Sequence, residues 1–365
     1  QAVVRRHPEA FAITALSAFA NADGLIAAAK EFCVPVVCIG DAAKANKVQA
    51  ALPGVRVLSG EEGLAVLAAL EAVDTVVLAV AGGGGIAPAY AALRAGKTLA
   101  VANKEALVAA GQFLREAATA YGGRIVPVDS EHSAIFQCLE GGAARPRRLI
   151  LTASGGPFRG YTKARLEKVT IAEALRHPTW AMGKKVTVDS ATMMNKALEI
   201  IEAYWLFKDY DLPPADYLIH PQSIVHSMVE FADGAVLAQL SVPSMEIPIQ
   251  YALTHPKRLP TAVPTLDLAA VGSLTFDAPD EEAFPAPALA RLALQHGGAY
   301  PAVLSAANEA AVDLFLQGAI SYSRIVPLVG EALLAPMPRI AVTIDTLPLF
   351  AARARDTVNH KARGI

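Results

Sequence analysis

Along the first 150 residues, short continuous apolar runs alternate with Ala-rich stretches whose polar side chains recur at helical spacing. "FAITALSA", "VPVVCIG", "TVVLAVAG", "TLAVANKE" and "RIVPVDSE" read as strands, with "NADGLIAAAKEF", "EEGLAVLAALEA", "IAPAYAALRAG" and "ALVAAGQFLREAATAYG" as helices between them. Strands that are apolar throughout and alternate with amphipathic helices belong in a parallel sheet covered on both faces. The pattern predicts a Rossmann-like, doubly wound α/β domain over 1–129. Such sheets bind ligands outside the carboxyl ends of their strands. Four runs end in suitable residues: Gly82 to Gly85; Asn103, Lys104 and Glu105; Asp129, Ser130 and Glu131; and, after "RLILTA", Ser154, Gly155 and Gly156. A cleft along one rim is expected.

Beyond Gly156 the periodicity changes. An α+β catalytic and connective domain is expected over 130–253, a Pro-rich linker over 254–279 and a helical domain over 280–365. In "DYLIHPQSIVHSMVEFADGAVLAQLSVPS" the turn "ADG" between two alternating runs signals a hairpin. In "HPTWAMGKKVTVDSATMMNKALEIIEAYW", residues 177–205, Asp189 or Ser190 is suited to cap a helix running to about Trp205. Met194, Leu198, Ile201 and Trp205 form its apolar stripe, while Asn195, Glu199 and Glu202 repeat the spacing on another face beside Lys196. The Pro/Gly-bounded loop 177–183, with Trp180 and Met182, has the composition of a lid that covers a ligand.

Composition narrows the function. The 365 residues exceed one ordinary core, 53% are apolar and 18% charged, and the net charge is -2, so the electrostatics advertise neither nucleic acid nor an anionic membrane. No apolar run reaches the roughly 18–20 residues that span a bilayer, and no targeting segment is read, so a cytoplasmic protein with a small-molecule ligand is expected. Cys33, Cys38 and Cys138 lack a CxxC spacing; the first two fall in an apolar run and are expected as buried free thiols.

Ser154, Ser190, Asn195 and Lys196 offer the hydroxyls, amide and cation that a phosphate dianion takes. Asp129 and Glu131, two apart on a segment expected to be extended, face the same way and with Glu199 make three hard oxygen donors suited to Mg²⁺ or Mn²⁺. Taken singly these residues keep plainer readings. Carboxylates usually face solvent, Lys196 and Glu199 could be an ordinary exposed pair, His132 and His177 could be structural as readily as phosphate or acid/base contacts, and the glycine run could serve only a tight turn.

Together "LAVANKEAL", "PVDSEHSAIFQ", "ILTASGGPFR", "HPTWAMGKKVTVDSATMMNKALE", "LIHPQSIVHSMV" and "AANEAAV" closely resemble the 1-deoxy-D-xylulose 5-phosphate reductoisomerase family, in order and over nearly the entire chain. The resemblance implies an NADPH- and divalent-metal-dependent rearrangement and reduction of 1-deoxy-D-xylulose 5-phosphate to 2-C-methyl-D-erythritol 4-phosphate in a three-domain homodimer. It implies Asp129, Glu131 and Glu199 as ligands of Mg²⁺ or Mn²⁺, with Co²⁺ as a further candidate. Lys104, Glu131 and His177 would be catalytic. Lys104, Ser130 and Glu131 would contact the substrate backbone near the metal, and Ser154, His177, Ser190, Asn195, Lys196 and Glu199 the rest of the substrate, with Trp180 and Met182 closing above. Ala18, Phe19, Ala20, Asn21, Gly82, Asn103, Glu105 and Gly183 would meet the cofactor. Two positions depart from the pattern: Ala20 stands where a Lys or Arg often meets the 2'-phosphate, and Ala197 replaces the glycine of "MNKGLE". The family's Gly-rich phosphate loop and the strand before it are expected upstream of residue 1. Two other readings compete: a metal-dependent phosphate-ester hydrolase, and a non-catalytic ligand-binding relative.

Overall fold

The computed structural model describes residues 1–141, 144–177 and 182–364. They form two compact units: the first holds 1–106, 112–128 and 246–260, the second 107–111, 129–245 and 261–365.

The first unit is built on six parallel strands, β1 (Ala15–Ala18), β2 (Val36–Ile39), β3 (Arg56–Ser59), β4 (Thr75–Leu78), β5 (Thr98–Val101) and β6 (Arg124–Pro127). Hydrogen bonds join them as two three-stranded sheets, β1-β2-β3 and β4-β5-β6, rather than the single run the periodicity suggested. β3 was not among the runs read as strands: its "RVLS" is only partly buried, so it lacks the continuous apolar signal. Residue alternation on β2 shows why both faces need helices. Val37 and Ile39 pack with Leu25, Ala29 and Val48, whereas Cys38 and Val36 pack with Leu64 and Leu67. Apolar side chains pointing both ways from one strand must be covered twice. Helix Glu246–Thr254, distant in sequence, belongs here because Glu246 pairs with Arg6 and His7 Nε2 lies 3.0 Å from the carbonyl of Pro260.

The second unit contains a mixed sheet of β7 (Pro146–Ala153), β8 (Asp216–Ile219), β9 (Val225–Phe231) and β10 (Val236–Leu240), ordered β10-β9-β7-β8. The expected hairpin is β9-β10, antiparallel around the turn at Asp233 and Gly234. β8, read with the antiparallel alternation, instead runs parallel to β7. Because β7 pairs only within this sheet, the strand end at Ser154 does not share a sheet with those at Gly82, Asn103 and Asp129. Helices Ala286–His296, Tyr300–Leu316, Ile325–Leu334 and Leu347–Ala362 complete the unit. Phe158, Phe315 and Tyr322 meet edge to face in its core, with centroids 5.2 and 6.2 Å from Tyr322. Among the described residues, no helix is long and apolar enough to cross a membrane. Cys38 is buried as expected and Cys138 is buried as well, but Cys33, also expected to be buried, is exposed on a turn just past helix Ala22–Glu31.

Candidate active site

The polar face of the sequence's most unusual helix is not solvated. Helix Met194–Leu206 buries Met194, Leu198 and Ile201 of its apolar stripe, half-buries Trp205, and also buries Lys196, Glu199 and Glu202, which are 3, 1 and 1% exposed. That removes the ordinary surface pair as an account of Lys196 and Glu199. The helix also starts later than expected. Asp189 and Ser190 lie in a preceding helix, Lys184–Ala191, and the chain reverses at Met193, whose φ is 60°. The hydroxyl of Thr192, not Asp189, accepts from the Met194 amide at 3.4 Å.

Asp129 and Glu131 converge for a reason different from the one their spacing suggested. Helix Ser130–Glu140 begins directly after Asp129, whose Oδ1 caps it by accepting from the Glu131 amide at 3.4 Å. Both carboxylates therefore sit at a helix N-terminus, where the backbone dipole favours negative charge. Ligand oxygens of Asp129, Glu131 and Glu199 all lie within 4.8 Å of one another. Lys196 Nζ is 3.0 Å from Glu131 Oε1 and also bonds Glu199 and the carbonyl of Thr152. Burial works against the lysine's charge, but Glu131 and Glu199 outweigh it and hold the ammonium above its ordinary range. Ser130 Oγ donates to Glu131 Oε2 at 2.6 Å, and Asn195 Nδ2 to Glu199 Oε1 at 2.5 Å. Asn195 Oδ1 is buried with no hydrogen-bond partner among the described residues.

His132, which the sequence leaves open between a structural role and a phosphate or acid/base contact, is fully buried. Its Nε2 lies 2.9 Å from the Glu199 carbonyl, and its Nδ1 faces Asp129 at 3.8 Å and Glu202 at 3.9 Å. It ties the two helices that carry the carboxylates. The i, i+3 spacing from Asp129 was the available signal. His226 on β9 was missed. It is buried, with Nε2 2.9 Å from Ser241 Oγ, and desolvation lowers its pKa while Glu131 pulls the other way.

A second set lies beyond β7. Ser154 Oγ is 3.3 Å from His177 Nε2 and accepts from the Gly156 amide at 3.2 Å; burial lowers the His177 pKa. Gly156 has φ of 66°, and a Cβ there would stand 2.6 Å from the Ser190 carbonyl. Only glycine lets the Ser154 loop close on Ser190. Met182 and Gly183 precede the Lys184–Ala191 helix, with both carbonyls accepting from Thr187 Oγ1; Trp180 and most of the expected lid lie outside the described residues.

Of the expected cofactor residues, those of the first unit follow its strands. Ala18 ends β1, Phe19 is 72% exposed, Ala20 accepts from Lys44 Nζ, and Asn21 caps helix Ala22–Glu31 by accepting from Gly24. Asn103 donates to the Gly82 carbonyl at 2.9 Å and to Glu105 at 3.3 Å. Its Oδ1 caps helix Lys104–Tyr121 at the Ala106 amide, so Lys104 opens that helix. Gly183 belongs to the second unit.

Comparison with known proteins agrees with this architecture. The family model for 1-deoxy-D-xylulose 5-phosphate reductoisomerase matches residues 2–111, that for its C-terminal domain 125–207, and the DXP reductoisomerase C-terminal domain model 240–357. The 1-deoxy-D-xylulose 5-phosphate reductoisomerase of Chloroherpeton thalassium is 49% identical over 99% of this chain and 94% of its own. That of Heliobacterium modesticaldum is 56% identical over 76% of this chain and 71% of its own. The solved Zymomonas mobilis enzyme in complex with NADPH superposes with a TM-score of 0.92 at 38% identity, over 100% of this chain and 95% of that one. By sequence and by structure alike, the chain belongs to the 1-deoxy-D-xylulose 5-phosphate reductoisomerase family.

Proposed function

We propose that the chain converts 1-deoxy-D-xylulose 5-phosphate to 2-C-methyl-D-erythritol 4-phosphate, with NADPH and a divalent metal, through the residues gathered around Lys196. The observation that carries this assignment is the meeting of three carboxylates within 4.8 Å at the N-terminus of helix Ser130–Glu140, beside the buried ammonium of Lys196. Three carboxylates against one ammonium leave two negative charges, and the donors are all hard oxygens; both features fit Mg²⁺ or Mn²⁺. Asp129, Glu131 and Glu199 would hold that ion, which supplies Lewis acidity toward the substrate's carbonyl and hydroxyl oxygens. NADPH supplies the hydride.

The protein's own groups orient the sugar phosphate. Ser154, Ser190 and Asn195 present hydroxyl and amide donors for the phosphate and its neighbouring hydroxyl. His177, neutral near pH 7 because burial lowers its pKa, adds a ring nitrogen beside Ser154. Lys196 keeps Glu131 and Glu199 from repelling one another, and Ser130 fixes one Glu131 oxygen. Anchoring the remote phosphate limits the freedom of the reacting carbons, and the expected lid at Trp180 and Met182 excludes water. Lys104 is assigned to the substrate backbone. For the cofactor, an exposed aromatic ring at Phe19 beside the N-terminus of helix Ala22–Glu31 suits a planar base and an anionic phosphate. A cytoplasmic homodimer completes the proposal. It is supported by β10, an edge strand of its sheet with Val236 and Leu237 exposed, the kind of edge that a second copy covers.

The test is oxidation of NADPH by the purified chain. It is expected only when the sugar phosphate and Mg²⁺ or Mn²⁺ are both present. Phosphate release without nicotinamide would instead select a hydrolase, and binding without turnover a non-catalytic relative.

A further inference from the structure

Three buried polar groups outside the proposed chemistry hold the helix that carries Ser190. Asp189 is 1% exposed and Asn308, in the middle of helix Tyr300–Leu316, is 0% exposed. Asn308 Nδ2 donates to Asp189 Oδ1 at 2.8 Å, a bond across 119 residues of chain. The other oxygen, Asp189 Oδ2, lies 2.8 Å from Lys185 Nζ. On the far side of Ser190, the Tyr322 hydroxyl donates to the Ala191 carbonyl at 2.7 Å. Both neighbours of Ser190 are thereby fastened to the C-terminal helical region, one through its side chain and one through its backbone.

A fixed serine matters here because its surroundings leave little slack. Gly156 lies so near the Ser190 carbonyl that a Cβ there would stand 2.6 Å from it. Three residues after Ser190, the chain reverses at Met193 to begin the helix bearing Asn195, Lys196 and Glu199. Apolar packing could hold a helix in this place without any charge. A carboxylate buried beside it loses its hydration, a cost that amide and ammonium must offset. Its directional bonds fix the rotation and register of one turn of helix, which packing alone leaves less defined.

We infer that Asn308 is a positioning residue for phosphate recognition: through Asp189 it sets Ser190 at the angle from which its hydroxyl meets the substrate's phosphate. This rests on the assignment of Ser190 to the phosphate. Asn308 acts through Asp189 and touches no reacting atom.

The experiment uses the full chain in four forms: unchanged, Asn308→Asp, Asp189→Asn, and the exchange carrying both substitutions. Each is measured for KM and kcat with the sugar phosphate, for inhibition by inorganic phosphate, for Mn²⁺ binding and for unfolding. Asn308→Asp sets carboxylate against carboxylate and is expected to raise KM and the inhibition constant of inorganic phosphate roughly tenfold, with kcat and Mn²⁺ affinity changed by no more than about twofold. The exchange restores an amide facing a carboxylate and is expected to recover most of the phosphate affinity. Unchanged phosphate inhibition in Asn308→Asp overturns the inference. So does a folded exchange variant that recovers stability but not phosphate affinity. Should Asn308→Asp not fold, the exchange alone decides by the same measurement. An unchanged chain that binds inorganic phosphate but never oxidises NADPH would instead refute the proposed function, so the two ideas fail separately.

Discussion

An ammonium that is 3% exposed needs compensation, and Lys196 finds it in Glu131, Glu199 and the Thr152 carbonyl. Lys196→Met is therefore expected to destabilise the chain by about 3 kcal/mol, since removing one partner of a buried pair strands the other. Denaturant unfolding measures this, and Mn²⁺ should offset part of the loss by neutralising the same carboxylates. Glu199→Gln should weaken Mn²⁺ binding by at least the roughly 10–100-fold seen for partners outside the coordination sphere; titration by electron paramagnetic resonance, without substrate, checks it. At this scale the residue types were legible in the sequence. Burial was not: the same Asn195, Glu199 and Glu202 spacing describes a solvated face equally well, and only packing distinguishes the two.

Among elements, the informative features are the ends and the close approaches. Asp129 and Glu131 were expected on an extended segment, but the strand at Pro127 gives way to a helix at Ser130 with almost no loop. Two residues of separation then means one cap and one first-turn side chain. The helix of the Glu199 face starts at Met194 because Thr192 and Met193 turn the chain, which a polar residue at 189 or 190 does not reveal. Ala197 fits the interior of that helix, fully buried and donating to the Met193 carbonyl at 3.1 Å. Gly111 shows a demand that sequence leaves silent: a Cβ there would fall 2.3 Å from the Trp205 ring. Gly111→Ala should cost about 1–3 kcal/mol through overpacking, despite its better helix propensity, and thermal unfolding with tryptophan fluorescence would record both the loss and the displaced ring.

For the whole molecule, protons and metal both bear on stability. Burial holds His226 and His177 below their ordinary value of 6.5. As pH falls through 6.5, the unfolded chain therefore takes up protons that the folded chain refuses. The stability these histidines allow is present above pH 6.5 and is lost progressively below it. Urea midpoints should decline across that window, and His226→Gln should flatten the decline; an equal decline in the variant would remove His226 as a cause. A bound ion adds stability in proportion to its occupancy. Mn²⁺ at a hundredfold its Kd is expected to contribute about 2.7 kcal/mol, visible as a raised midpoint that Glu199→Gln largely abolishes.

The local pattern of apolar positions was enough to specify parallel strands alternating with helices, the hairpin at Asp233 and Gly234, and the helical C-terminal stretch, because periodicity is a property of neighbours in sequence. The motifs were enough to name the family. Packing over long separations decided the rest: the division into two three-stranded parallel sheets, the parallel pairing of β8, the return of helix Glu246–Thr254 to the first unit, and the link from Asn308 to Asp189. None of these is encoded by a residue and its near neighbours. Each depends on which distant surface supplies the hydrogen-bond partner or the apolar cover that a buried group requires.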